Sequence, residues 1–267
     1  MVNEEELVGG NSSIVTRIGD TVRRNAGPWT PAVHAFLNVL RANGINQVPE
    51  ALGMDDHGRE VLTFMPGDVV QYPLPDWVWH ASILRDAATL LRRIHEASLE
   101  VVHKPLDWQM PTREPVEVVC HNDFAPYNMT FRNERFAGVF DFDAASPGPR
   151  IWDFAYMAYQ LVPLVEGASV IAPAGASRLS RLDALIEAYG LPFSRRDVFE
   201  TLATRLHELA VYSDGRAEAT GRSELNDHAA MYRRDSRRMS ELTSQEGSAS
   251  GEVAAVTPTA EARPAQY

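Results

Sequence analysis

The chain has one cysteine, Cys120, among its 267 residues. An intrachain disulfide is thereby excluded, and Cys120 reads as a small buried apolar residue, not a nucleophile. Also missing is any apolar run of the length that spans a bilayer. The opening Met1-Val2-Asn3-Glu4-Glu5-Glu6 is acidic where a secretion signal is basic. The expectation is a cytoplasmic protein with no membrane partner. Basic residues are in deficit, since 25 Lys and Arg against 36 Asp and Glu leave a net charge of −11. A pI near 5.2 argues against nucleic acid as a partner. It would suit a cationic small molecule, although many acidic proteins have none. Repeats and heptad arrays are absent too. From Thr243 to Tyr267 large apolar residues all but vanish, so that stretch reads as a disordered tail.

The rest is built to fold, with hydrophobic residues at 45% and charged ones at 23%. Its centre is His121-Asn122-Asp123-Phe124-Ala125-Pro126-Tyr127-Asn128, followed by Asp141-Phe142-Asp143. The β-branched Val116–Cys120 segment reads as a strand delivering this loop to a buried edge. Met129-Thr130-Phe131 and Phe136–Phe140 read as a hairpin that brings Asp141 back beside Asn128. Two carboxylates and an amide oxygen then converge, with no Lys or Arg expected nearby to neutralise them. Such a cluster is costly unless it holds a cation, and all-oxygen ligands suit Mg²⁺. Phosphoryl transfer needs this arrangement: Asn128 and Asp141 for the metal on the nucleotide phosphates, Asp123 to accept or orient an acceptor hydroxyl. The bland alternative for either motif alone is a turn whose Asp side chains cap backbone amides.

The octapeptide resembles the H-x-D-x-x-x-x-N catalytic loop of the aminoglycoside phosphotransferase family, within the protein-kinase-like fold. Phe140-Asp141-Phe142-Asp143 stands where that family carries its metal-binding Asp. Pro147-Gly148-Pro149-Arg150-Ile151-Trp152-Asp153-Phe154-Ala155-Tyr156 resembles its P-G-P-R-x-W-D-L-A-Y run. The resemblance implies an α+β, two-lobed fold with a small antiparallel sheet at 1–66 and a mainly helical catalytic and acceptor-binding lobe at 67–242. It also implies ATP or GTP with Mg²⁺, and a small-molecule hydroxyl as acceptor. Aminoglycosides are one acceptor class among several, beside choline-like amines, homoserine and sugars.

Earlier in the chain, Leu7–Ile18 reads as strand, Gly9-Gly10 turn, strand. Alone this is only a hairpin. Ahead of such a site, Gly9, Gly10, Asn11, Ser12 and Ser13 become a phosphate-covering loop whose backbone can approach an anion closely. Thr21–Arg24 is the next strand, where a kinase-like fold keeps a Lys on the phosphates. Arg23 is the first candidate for that role and Arg24 the second. Thr30-Pro31 looks like the cap and first position of a helix reaching Asn43. That helix lacks the acid that the family pairs with the strand cation, and His34 is its nearest polar substitute. Gln47–Met54 and Arg59–Met65 complete a five-stranded sheet. Backbone groups of about Thr63 to Met65 would meet the purine.

Apolar spacing from Trp77 to His95 is helical, with His95 a core residue. Ile151–Pro163 reads as a helix, with Asp153 near its start capping backbone amides of the catalytic loop. Helices at 177–189, 194–212 and 222–242 follow, with Gly215 or Gly221 as stops. The resemblance also covers trifolitoxin-like immunity proteins. A kinase-fold module that sequesters a toxin or antibiotic, with little or no transfer, is therefore the alternative.

Overall fold

The computed structural model describes residues 4–7, 15–165 and 178–253, in two compact units, Met1–Phe193 and Ser194–Tyr267. The first unit opens with the expected five-stranded antiparallel sheet. Its strands are β1 (Glu4–Leu7), β2 (Val15–Ile18), β3 (Thr21–Asn25), β4 (Ala51–Met54) and β5 (Arg59–Thr63), in the order β1-β2-β3-β5-β4. The register sets Thr21 opposite Thr63 and Arg24 opposite Glu60. β4 is shorter than the Gln47–Met54 run because Gln47 is engaged elsewhere: its carbonyl accepts the N–H of Val139 at 2.9 Å. The Gly9–Ser13 loop lies outside the described residues.

Helix α1 (Thr30–Ala42) packs Val33, Phe36, Leu37 and Leu40 into the core. Its cap is Trp29, one residue earlier than expected, since the Thr30 hydroxyl instead accepts the Gly27 N–H at 2.9 Å. Helix α2 (Ala81–Ser98), preceded by a short 3₁₀ turn at Asp76–Trp79, buries Ile83, Leu84, Ala87, Ala88, Leu91, Ile94 and His95. That is the apolar stripe its spacing requires.

Around α2 stand two small ladders. β6 (Val118–Cys120) pairs with β9 (Ser146–Gly148), and β7 (Met129–Arg132) forms a hairpin with β8 (Arg135–Val139). Helices α3 (Arg150–Leu161) and α4 (Arg178–Tyr189) complete the unit. The connection from sheet to helices is fastened to the hairpin: Asp68 N–H meets Phe131 O at 2.7 Å, and Phe131 N–H returns to Asp68 O at 2.9 Å. Gly67, with φ +144°, makes this approach possible, because a Cβ there would stand 2.6 Å from the Phe131 carbonyl oxygen.

The second unit is an antiparallel pair, α5 (Arg195–Thr220) and α6 (Glu224–Val253). A reciprocal Ser194–Asp197 capping box starts α5. The helix runs through Gly215 and stops at Gly221, which takes the left-handed conformation at φ 70°. Helix α6 continues past Leu242 into the stretch expected as a tail; residues 254–267 lie outside the described residues.

Candidate active site

His121 to Asn128 leaves β6 and folds over the start of α3. Asp153, in the first turn of α3 and wholly buried, accepts the N–H of His121 at 2.6 Å and of Asn122 at 2.9 Å. The capping of the loop by Asp153 is therefore present as expected. Its Oδ2 also meets His95 Nε2 at 3.1 Å, and His95 Nδ1 meets the Tyr189 hydroxyl at 2.7 Å. A carboxylate can only accept, so Nε2 carries the proton and Nδ1 accepts from the phenol. Burial holds His95 below the usual imidazole range, against the opposing pull of Asp153.

His121 is fixed by the same logic. Its Nε2 donates to the Phe140 carbonyl at 3.1 Å, and its Nδ1 accepts the Asp123 N–H at 3.2 Å. The ring thus ties the loop to the residue preceding Asp141. Asn122 occupies the left-handed region at φ 64°, where Asn is among the least penalised side chains. Its amide donates to Ala144 O and Ser146 Oγ, both at 2.9 Å.

Asp123 Oδ1 accepts the Tyr127 hydroxyl at 2.5 Å, and Oδ2 accepts Asn128 Nδ2 at 2.8 Å. Burial raises the pKa of Asp123, with Asp141 adding to the rise while Tyr127, His121 and Asn128 oppose it. Tyr127 is itself raised by burial, the neighbouring Tyr156 hydroxyl 3.2 Å away, and Asp123. No sequence signal marked Tyr127 beyond its place inside the loop. It shows that a hydroxyl donor fits directly against the Asp123 carboxylate.

The hairpin does bring Asp141 beside Asn128: the Phe140 N–H donates to Asn128 O at 2.9 Å, and Met129 pairs with Val139. Asp141 sits at φ 63°, a strained conformation for a residue with a side chain. Asn128 Nδ2 is committed twice, to the carbonyl and the carboxylate of Asp123. Among the described residues, nothing donates to Asn128 Oδ1 or to Asp141 Oδ2. Two hard oxygen donors uncommitted within one cluster fit a divalent cation such as Mg²⁺. A second grouping, His95, Cys120 and Asp153, has its ligand atoms within 4.8 Å of one another. It is closed by the hydrogen bonds already described, and Cys120 Sγ donates to Pro149 O at 3.5 Å.

The expectation of a cluster without a neutralising cation is corrected by Arg24. Its NH1 meets Asp141 Oδ1 at 3.0 Å, its NH2 meets Asp143 Oδ1 at 2.6 Å, and its Nε pairs with Glu60. Burial opposes a charged guanidinium, yet Asp143, Glu60 and Asp141 together hold its pKa above the ordinary value. Arg23, the first candidate, does not reach the cluster. Successive side chains on β3 point to opposite faces, and Arg23 NH1 turns to the Thr21 hydroxyl. The acid missing from α1 is supplied by Glu60 on β5, and α1 joins through His34, whose Nε2 lies 3.0 Å from Glu60 Oε2. Burial lifts Asp143 to about 6, against the attraction of Arg24.

At the edge of β5, the Thr63 N–H is already taken by Glu50 O at 3.0 Å and its hydroxyl by the Glu50 N–H at 2.8 Å. That removes the Thr63 amide as a purine donor. The Met65 side chain reaches across to Gly138 of β8.

Known proteins resemble this chain in sequence and in fold. A trifolitoxin immunity protein of Rhizobium leguminosarum bv. trifolii is 29% identical over 246 residues, spanning 87% of this chain and 91% of its own. A choline/ethanolamine kinase family protein of Mesorhizobium loti superposes with a TM-score of 0.60 at 16% identity, covering 89% of this chain and 87% of that one. An amicoumacin kinase in complex with AMP-PNP, Ca²⁺ and Ami superposes with a TM-score of 0.62 at 13% identity, covering 90% and 88%. Residues 74–189, which hold the loop, the hairpin and α3, match the phosphotransferase enzyme family, APH. The matched segment thus resembles the APH phosphotransferase family, and the chain takes the protein-kinase-like fold.

Proposed function

We propose that the protein is a small-molecule kinase, moving the γ-phosphoryl group of ATP or GTP to a hydroxyl of its acceptor. The observation that carries this reading is the convergence of Asp123, Asn128 and Asp141, with Asp123 already accepting a hydroxyl donor at 2.5 Å. In this reading Asn128 Oδ1 and Asp141 hold the metal. Bound there, Mg²⁺ would supply the positive charge that offsets the charge developing on the nucleotide phosphates. Asp123 orients the acceptor hydroxyl and takes its proton, as Asp153 and His121 keep the loop backbone fixed. Arg24, already paired with Asp141 and Asp143, is the cation this reading assigns to the phosphates. Acidic composition would suit a cationic acceptor, and the half-buried Tyr127 sets a phenol directly against the base.

The test is release of ADP or GDP with a panel of amino alcohols, sugars and aminoglycosides, for wild type and Asp123→Asn. The variant is expected to bind Mg-nucleotide while turning over about 10²–10⁴-fold more slowly. Equal turnover would remove Asp123 from the mechanism.

A second reading, immunity by sequestration without transfer, is favoured by the 29% identity to the trifolitoxin immunity protein. Expression of wild type and Asp123→Asn in toxin-sensitive cells separates the two. Protection that survives the substitution supports sequestration; protection that needs Asp123 supports transfer.

A further inference from the structure

Arg24 is held differently at its two ends. The Nε end is sealed: Glu60 is 1% exposed, and its second oxygen is braced by His34 of α1 at 3.0 Å. The NH1 and NH2 end reaches Asp141 and Asp143, whose side chains are 43% and 29% exposed. One of these carboxylates is the residue read above as a metal ligand.

We infer that Arg24 is a resident counter-cation of this metal site, displaced from Asp141 and Asp143 when a divalent ion enters. This rests on the kinase reading of the site. Asp123, Asp141 and Asp143 are like charges within one partly buried cluster, and the guanidinium offsets their repulsion while no ion is there. A divalent cation on the uncommitted Asp141 Oδ2 would sit on the same carboxylate that holds the guanidinium through Oδ1, and two cations at that range repel strongly. Glu60 remains as the pivot. The NH1 and NH2 edge then turns to the nucleotide phosphates, for which a planar fork is well shaped.

The device explains why an Arg serves on this strand. A guanidinium can keep Nε on Glu60 while its other edge exchanges partners. An ammonium carries its three donors on one nitrogen, so it has no separate edge to swing between partners around a fixed Nε contact. It also gives Glu60 and His34 a role as positioning residues, which set the pivot without touching nucleotide.

The test uses Mn²⁺ alone, titrated against the purified full chain and followed by the electron paramagnetic resonance of the free ion. Arg24→Met is compared with wild type. The double variant Arg24→Met/Glu60→Gln guards against misfolding, because it removes the buried pair together and leaves no unpaired charge at the sealed position 60. Both are expected to bind Mn²⁺ more tightly than wild type, Arg24→Met by about tenfold and the double variant by less, because it also loses the Glu60 charge. Adding Asp141→Asn to the double variant should abolish the gain. Binding of Mg-ATP or Mg-GTP, measured separately, should weaken in both Arg24 variants. Unchanged or weaker Mn²⁺ binding in a folded double variant would overturn the displacement. Tighter Mn²⁺ binding with undiminished nucleotide binding would overturn the turn toward phosphate. A wild type that binds neither nucleotide would sink the kinase reading itself, while the Mn²⁺ comparison would still judge the displacement.

Discussion

Oδ2 of Asp153 lies 2.6 Å from the backbone nitrogen of His121 and 3.1 Å from Nε2 of His95, so one carboxylate oxygen serves both the loop and the core of α2. With Oδ1 on the Asn122 N–H, three buried donors depend on this side chain. Asp153→Ala would strand all three. The expected loss is about 3–5 kcal/mol of stability, as three neutral donors lose one charged acceptor. Urea unfolding of the two proteins measures it, and a loss below about 1 kcal/mol would mean that water or another side chain replaces the carboxylate.

His95 sets a pH dependence of definite sign. Its folded pKa is depressed below the ordinary 6.5 by burial, so between the two values the unfolded chain binds more protons than the folded one. Stability from this group is therefore fully present above pH 6.5 and is lost as pH falls toward the folded pKa, by at most about 1.4 kcal/mol per pH unit. His95→Gln keeps hydrogen-bonding capacity without a titrating ring. The urea midpoint of wild type should fall more steeply than that of the variant between pH 6.5 and 5; parallel curves would count against a neutral His95.

Asp141 and the nucleotide are expected to be linked through the metal. Wild type at a nucleotide concentration of a hundred times Kd should gain roughly 2.7 kcal/mol in the presence of Mg²⁺, visible as a rise in Tm. Asp141→Asn should lose the Mg²⁺-dependent part of that rise. No rise with ATP or GTP in folded wild type would favour sequestration.

Much of the site could be read directly, because its chemistry is nearly contiguous. The Asp123, Asn128 and Asp141 cluster is carried by one loop and one hairpin, and hairpin pairing follows from short-range pattern. Asp153 was legible from its place at a helix start.

What could not be read depends on partners far apart in the chain. Arg24 and Glu60 are separated by helix α1 and strand β4, and become neighbours only through the β3–β5 register. Alternation along β3 says that Arg23 and Arg24 face opposite ways. It does not say which face meets the cluster, since Thr21, Val22 and Arg23 are all only half-buried there. Gly215 misled for a different reason. A single helical glycine costs about 1 kcal/mol, too little to end a long helix packed along a partner. Gly221 ends it because the chain there turns left-handed.

Gly67 offers a test of local geometry. At φ +144° and with the Phe131 carbonyl oxygen 2.6 Å from where a Cβ would stand, Gly67→Ala is both strained and obstructed. A cost of about 1–3 kcal/mol is expected from the backbone conformation alone. Differential scanning calorimetry would show it, and an unchanged Tm would mean that the connection can shift aside.

The paired bonds between Asp68 and Phe131 leave the crossing from sheet to helices without slack. A residue inserted between Gly67 and Val70 would have to break that pairing or drag β7, and with it Asn128, out of place. Unlike most surface connections, this one is closed to lengthening over evolutionary time. The outer loops can take added length, but the crossing itself behaves as a fixed ruler, measuring the distance from the sheet edge to the Asn128 amide.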